Sequence, residues 1–200
     1  MEFTINKNYE KEIDVEKSRF IAYLFKIDSK DDFNKKLDEI KSDNIKARHH
    51  CFAYILDNDM RFSDDGEPKG TAGKPILNVL VNKHLNNCAI VVVRYFGGTL
   101  LGSGRLLRTY SMSATTVCMD AKLCEMVEEK EITVQVEIDS FDVFKNYLNK
   151  AHFSIKRTTF NDRIEIVFYT PLNFSENLES LFYKKVKVMD ERVVKNEKEV

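Results

Sequence analysis

Between residues 68 and 119 the chain carries no aspartate or glutamate, although an even spread of its 32 acidic residues would place about eight there. Glycine is scarce too: there are seven, all between positions 66 and 104. No apolar run approaches the roughly 18 residues of a membrane-spanning helix, and the longest, residues 88–93, reads as a buried strand. The opening stretch MEFTINKNYEKEI is charged early and has no apolar core, so no secretory signal is expected and a cytoplasmic location is. Cys51, Cys88, Cys118 and Cys124 form neither a CxxC pair nor a zinc-ribbon spacing, which predicts reduced thiols and no metal. There is no low-complexity tract, and a net charge of −1 excludes a globally basic nucleic-acid binder. Any anion site must be local.

What is present is segregated charge. Residues 1–67 sum to −4, residues 68–119 to +6 and residues 120–200 to −3. The acid-free window holds Lys69, Lys74, Lys83, Arg94, Arg105 and Arg108 together with most of the glycines. Unopposed cations beside permissive backbone are where a phosphate or polyanion would bind.

Periodicity organises the rest. Strands are expected at 9–15, 18–27, 51–57 and 61–63, with a turn at Asp57-Asn58-Asp59. A helix capped by Ser29 places Phe33, Leu37 and Ile40 on one face. A second helix from Pro75 to about Asn86 would bury Ile76, Leu77, Leu80, Val81 and Leu85. A third, about 103–122, would bury Leu106, Leu107, Tyr110, Ala114, Val117, Cys118 and Ala121. Acids return at LCEMVEEK, which is taken as the boundary between a domain at 1–124 and another at 130–200. The second reads βαββαβ: strands at 131–138, 153–159, 162–170 and 186–193, helices at 140–150 and 174–184, and a frayed tail. That order is the ferredoxin-like split-βαβ pattern. The fold class expected is α+β.

Three groups of residues invite chemistry. In RYFGGTLLGSGRLLR, a glycine-rich loop opens a helix, so unpaired amides of Gly97, Gly98, Gly102, Ser103 and Gly104 could cradle phosphate beside Arg94, Arg105 and Arg108. It is neither a Walker A loop nor a dinucleotide fingerprint, and tight packing at a strand-to-helix crossover is an equal account of the glycines. In SDDGEPKGTAGKP, Asp64, Asp65 and Glu67 form an acid cluster beside Lys69 and Lys74; turn capping is the simpler reading of it. His49, His50 and Cys51 are read as core or edge residues, with His50 on the face opposite the other two. Phe20, Phe25, Phe62 and Phe96 could stack on bases, though strand aromatics more often fill cores.

The motifs EKSRFIA, ARHHCFAYIL, RFSDDGEPKGTAGKPIL and VVVRYFGGTLLGSGRLLRTYSMSA resemble the IMPACT/YigZ family almost end to end. Where the family pattern has a glycine this chain has Arg105, and Thr109 stands for an alanine. The resemblance implies an N-terminal domain like the GHMP kinases and certain ribosomal proteins. It also implies a C-terminal ferredoxin-like domain similar to one in elongation factor G. For the eukaryotic relatives it implies a regulator of translation acting by protein binding; taken with the basic glycine-rich surface, the expectation for this chain is a non-enzymatic regulator of translation or stress response that binds RNA or ribosome-associated partners and uses no cofactor. The partner-binding domain of the eukaryotic relatives has no counterpart in these residues, so that interaction is not carried over. A binder or enzyme for a phosphorylated small molecule or nucleotide at the same loop is the alternative.

Overall fold

The computed structural model describes residues 2–57 and 59–199. Its elements run β1 (Phe3–Ile5), β2 (Tyr9–Val15), β3 (Ser18–Lys26), α1 (Lys30–Asp43), β4 (His49–Leu56), β5 (Asp59–Ser63), α2 (Gly73–Asn82), β6 (Cys88–Tyr95) and α3 (Ser103–Met119). They continue β7 (Leu123–Val136), α4 (Phe141–Lys150), β8 (Ser154–Phe160), β9 (Ile164–Pro171), α5 (Leu178–Leu181) and β10 (Val186–Glu199). The chain divides into two compact units, residues 1–126 with 197–200, and residues 127–196. It is an α+β protein.

In the first unit five antiparallel strands lie in the order β2-β3-β6-β4-β5. Strand β6 is central and buried on both faces, which its unbroken apolar sequence demands. Side chains alternate across a strand. Ile90 and Val92 therefore pack with Ile76, Leu80, Leu106, Tyr110 and Ala114 of α2 and α3. Val91 and Val93 pack with Phe33 and Leu37 of α1 on the other side. Each such side chain contributes about 1.5–3 kcal/mol by leaving water. By the same alternation Arg94, His49 and Cys51 face α3, and the β4–β6 register sets His49 directly opposite Arg94. That pairing positions the site described below.

Helix ends account for several departures from expectation. Ser29 caps α1 as predicted, accepting from the Asp32 amide at 3.1 Å. Helix α2 starts earlier, at Gly73, because the Asp64 carboxylate reaches in and binds the amides of Ala72 and Gly73. It stops earlier, at Asn82. His84, at φ 53°, gives its amide to the Val81 carbonyl while Leu85 gives its own to Leu80. This is a Schellman closure made without glycine, so nothing in the composition marks it. Leu85 is buried as expected, yet off the helix, whereas Val81 and Leu107, expected inside, are 42% and 44% exposed. Helix α3 ends at Met119. The turn expected at Asp57-Asn58-Asp59 includes Asn58, which lies outside the described residues. The three-residue strand β1, which pairs with Leu123–Glu125, was not anticipated.

In the second unit β7 pairs with β9, β9 with β8, and β10 with β7. Ile132, Val134, Ile166 and Phe168 from the sheet pack against Phe144, Leu148 and Leu178 from the helices. The residues 123–130 read as a boundary belong to strand β7. The helix expected over 174–184 shrinks to one turn, α5, capped by the Asn177 side chain, and Leu181 is exposed. Strand β10 runs on to Glu199 instead of fraying after 193: Asn196 donates to Glu129, and Glu197 pairs with Lys26. Those polar partners replace the apolar pattern by which strands are recognised. Val200, the last tail residue, is outside the described residues.

Candidate functional site

The loop from Asp64 to Ala72 is built by its acids, each used differently. Asp64 accepts from the amides of Gly70, Ala72 and Gly73 at 2.8, 3.0 and 2.8 Å. Burial pushes its carboxyl up, but those three amides outweigh the burial and hold it below the usual carboxylate range. Asp65 accepts the His50 amide at 2.6 Å, and its carbonyl takes a hydrogen bond from His49 Nδ1 at 2.7 Å. A carbonyl only accepts, so His49 carries its proton on Nδ1. Glu67 points inward, where Oε1 accepts from Arg94 Nη1 at 2.6 Å and from the Tyr110 hydroxyl at 2.8 Å. The acid cluster thus diverges: Asp64 and Asp65 shape the loop, and Glu67 enters the interior.

Beneath Glu67 the network continues, with Cys51 Sγ 3.3 Å from the Tyr110 hydroxyl and 3.0 Å from the Asp64 carbonyl. Burial pushes both the Cys51 thiol and the Tyr110 hydroxyl far up, so both stay protonated and Cys51 is no nucleophile. Tyr110 meets Phe20 edge-on at 5.4 Å, locking the network to the core. The Arg94 guanidinium lies 5.4 Å from the Phe20 ring and 5.5 Å from the Phe96 ring, and its buried Nε has no hydrogen-bond partner among the described residues. Arg94 is 5% exposed and Glu67 8%. At that depth each charge is offset by the other.

Above this floor opens a cavity of about 310 Å³, lined by Arg48, His49, Glu67, Arg94, Phe96, Gly102 and Ser103, with Leu100, Leu101 and Leu106 as its apolar wall. Arg48 lies over the Phe96 ring at 5.2 Å. The first turn of α3 borders the cavity. Its N-cap, Gly102, sits at φ 74°, a conformation that side chains rarely adopt, and no side chain caps the turn. Leu106 makes the first amide bond back to Gly102, so the amides of Ser103, Gly104 and Arg105 have no partner within the helix. Unfilled amides carry the positive end of the helix dipole.

Of the proposed anion-binding residues, the cavity collects Arg94, Gly102 and Ser103. Gly104 follows in the same turn. Arg105 is outside the lining and pairs with Glu16. Lys69, Lys74 and Arg108 are exposed and do not line it. Gly97 serves packing: a Cβ there would lie 2.0 Å from the Lys17 carbonyl oxygen. Gly98 turns the chain at φ 85°. The cations of the acid-free window are thus partly answered by Glu67, the residue just before it, and by Glu16, which is distant in sequence. Arg48, which no motif singles out, and His49, expected to be a core or edge residue, also line the cavity. Their role depends on the β4–β6 register, which no local pattern encodes. Of the four aromatics weighed for stacking, Phe20 and Phe25 are core, Phe62 is exposed on β5, and Phe96 alone reaches the cavity.

Residues 16–118 match the family model described as the Impact N-terminal domain. The chain belongs to the IMPACT family. It is 32% identical over 170 residues to IMPACT family member YvyE of Bacillus subtilis (strain 168), covering 84% of this chain and 78% of that protein. It is 35% identical over 129 residues to IMPACT family member YigZ of Escherichia coli (strain K12), covering 62% and 63%. Among solved structures it resembles the crystal structure of a hypothetical protein, with a TM-score of 0.65 at 26% identity over 94% of this chain and 97% of that one.

Proposed function

We propose that this chain is a non-enzymatic regulator of translation or stress response that binds RNA or a ribosome-associated partner at the cavity between β4, β6 and the start of α3. The observation that carries the reading is Arg94: a buried guanidinium whose Nε has no partner among the described residues, lining the same cavity as a helix N-terminus that none of their side chains caps. Arg48 at the rim adds a second cation. A phosphate oxygen accepts from all three kinds of donor. In this reading Arg94, Ser103, Gly104 and Arg48 hold phosphate, while Lys69, Lys74, Arg105 and Arg108 act only as outlying positive charge. The second unit is ferredoxin-like, supported by the order β10-β7-β9-β8, and the first is GHMP-kinase-like. Cys51, Cys88 and Cys118, buried and outside any disulfide, support a reducing, cytoplasmic setting.

Titration of a fluorescent single-stranded RNA tests this. Log affinity should fall with log salt by about 0.7 per phosphate contact, and Arg48→Glu, an exposed change, should weaken binding without unfolding. No binding at low salt would end the proposal. The second reading, a phosphorylated small molecule, is favoured by one feature: the site is a concavity of about 310 Å³, small for a ligand pocket, and not a groove that tracks a backbone. Thermal stabilisation by free nucleotides, about 2.7 kcal/mol at a hundredfold excess over Kd, would shift the assignment towards it.

A further inference from the structure

The cavity floor differs chemically from its rim. Both hydrogen bonds to Glu67 fall on Oε1, and among the described residues Oε2 receives none. Beside it, His49 spends its Nδ1 proton on the Asp65 carbonyl, so in the neutral ring Nε2 presents a lone pair, 3.9 Å from Glu67 Oε1. Two acceptor atoms, Glu67 Oε2 and His49 Nε2, therefore sit close together, while the cavity's donors are Arg94 Nε at the floor and Arg48 and the α3 amides at the rim. A phosphate, with acceptors only, satisfies those donors and is repelled by the two acceptor atoms. The floor calls for two neighbouring hydroxyls.

We infer that the cavity selects a ribose with a free vicinal diol, its hydroxyls donating to Glu67 Oε2 and His49 Nε2 while the neighbouring phosphate rests on Arg94, Arg48 and the start of α3. This deepens the RNA-binding reading and rests on it. The diol occurs at an RNA 3′ end and on a free ribonucleotide, and nowhere in DNA. Sites that hydrogen-bond a hydroxyl reject analogues lacking it far more strongly than apolar sites reject a missing methylene. Deleting the diol leaves Glu67 Oε2 and His49 Nε2 facing the ligand without a donor.

The test is fluorescence anisotropy on the full chain with three 5′-labelled probes of one sequence: RNA with an intact 3′ ribose, RNA ending in a 2′,3′-dideoxy sugar, and DNA. At least tenfold tighter binding of the first is expected. Competition by adenosine monophosphate, but not by its 2′,3′-dideoxy analogue, would identify a free nucleotide as the source of the diol; competition by neither would identify the RNA end. Equal affinity for all three probes overturns the inference and leaves phosphate binding standing. Binding of none overturns both. Glu67→Gln, checked by thermal melting, should erase the preference, and the probe comparison on the unaltered chain decides the matter if that variant fails to fold.

Discussion

Glu67 Oε1 and Arg94 Nη1 meet at 2.6 Å, one from a surface loop and the other from the central strand, with side chains only 4% and 6% exposed. Removing one member of such a pair strands a buried charge. Glu67→Ala or Arg94→Ala should each lower stability by about 3–5 kcal/mol, and replacing both with apolar residues should cost less than the sum. Urea denaturation measures this. Losses below about 1 kcal/mol for the single changes would mean the pair is solvated.

Two glycines should behave oppositely. A Cβ on Gly97 would fall 2.0 Å from the Lys17 carbonyl oxygen and 2.5 Å from the Ser18 amide nitrogen, and both are backbone atoms. Gly97→Ala should therefore destabilise by about 3 kcal/mol or more. At Gly104, in the first turn of α3, a Cβ meets nothing within 4 Å. Gly104→Ala should be neutral or stabilise by up to about 1 kcal/mol. Thermal melts of the two variants check the contrast, and a stable Gly97→Ala protein would contradict the packing described.

Stability should fall with acid in two stages. Burial lowers the His50 imidazole from its usual 6.5, with only partial opposition from Asp65. The unfolded chain therefore binds this proton more readily, and stability declines as pH drops below 6.5 towards the folded value. Asp64 is also lowered, from 3.8, so its contribution is complete above 3.8 and lost as pH falls below it through the folded value. Denaturation midpoints across pH should show both stages. His50→Gln should flatten the first and Asp64→Asn the second; unchanged profiles would refute the assignments.

The cysteines should be silent. All four are buried, and burial pushes Cys88 and Cys118 up to about 11. A thiol reagent at neutral pH should label none in the native protein and four after denaturation. Rapid native labelling of Cys51 would contradict its place beneath Tyr110.

Much of the architecture was legible because it repeats. The unbroken run of β6 and the spacing Leu106, Tyr110, Ala114, Val117 of α3 announce a covered strand and an amphipathic helix, and Ser29 marks a helix start. Elements held by polar partners were not: β1 has three residues, α5 one turn, and the end of β10 carries charge where a core pattern would be sought. The site was half legible. Gly102 and Ser103 stand out at a helix start, but Glu67 and Arg94 meet across 27 residues. Arg48 and His49 join them only through strand register. Glycines that look alike in sequence do separate work: Gly97 permits close packing, whereas Gly102 turns the chain into α3.

Nuclear magnetic resonance of the labelled protein, titrated with single-stranded RNA, tests the central claim most directly. The backbone amides of Ser103, Gly104 and Arg105 and the side-chain Nε–H of Arg94 should shift together and saturate at one affinity. Shifts confined to other surfaces, such as the Lys156 and Arg192 pairs with Glu131, or no shifts at all, would contradict it.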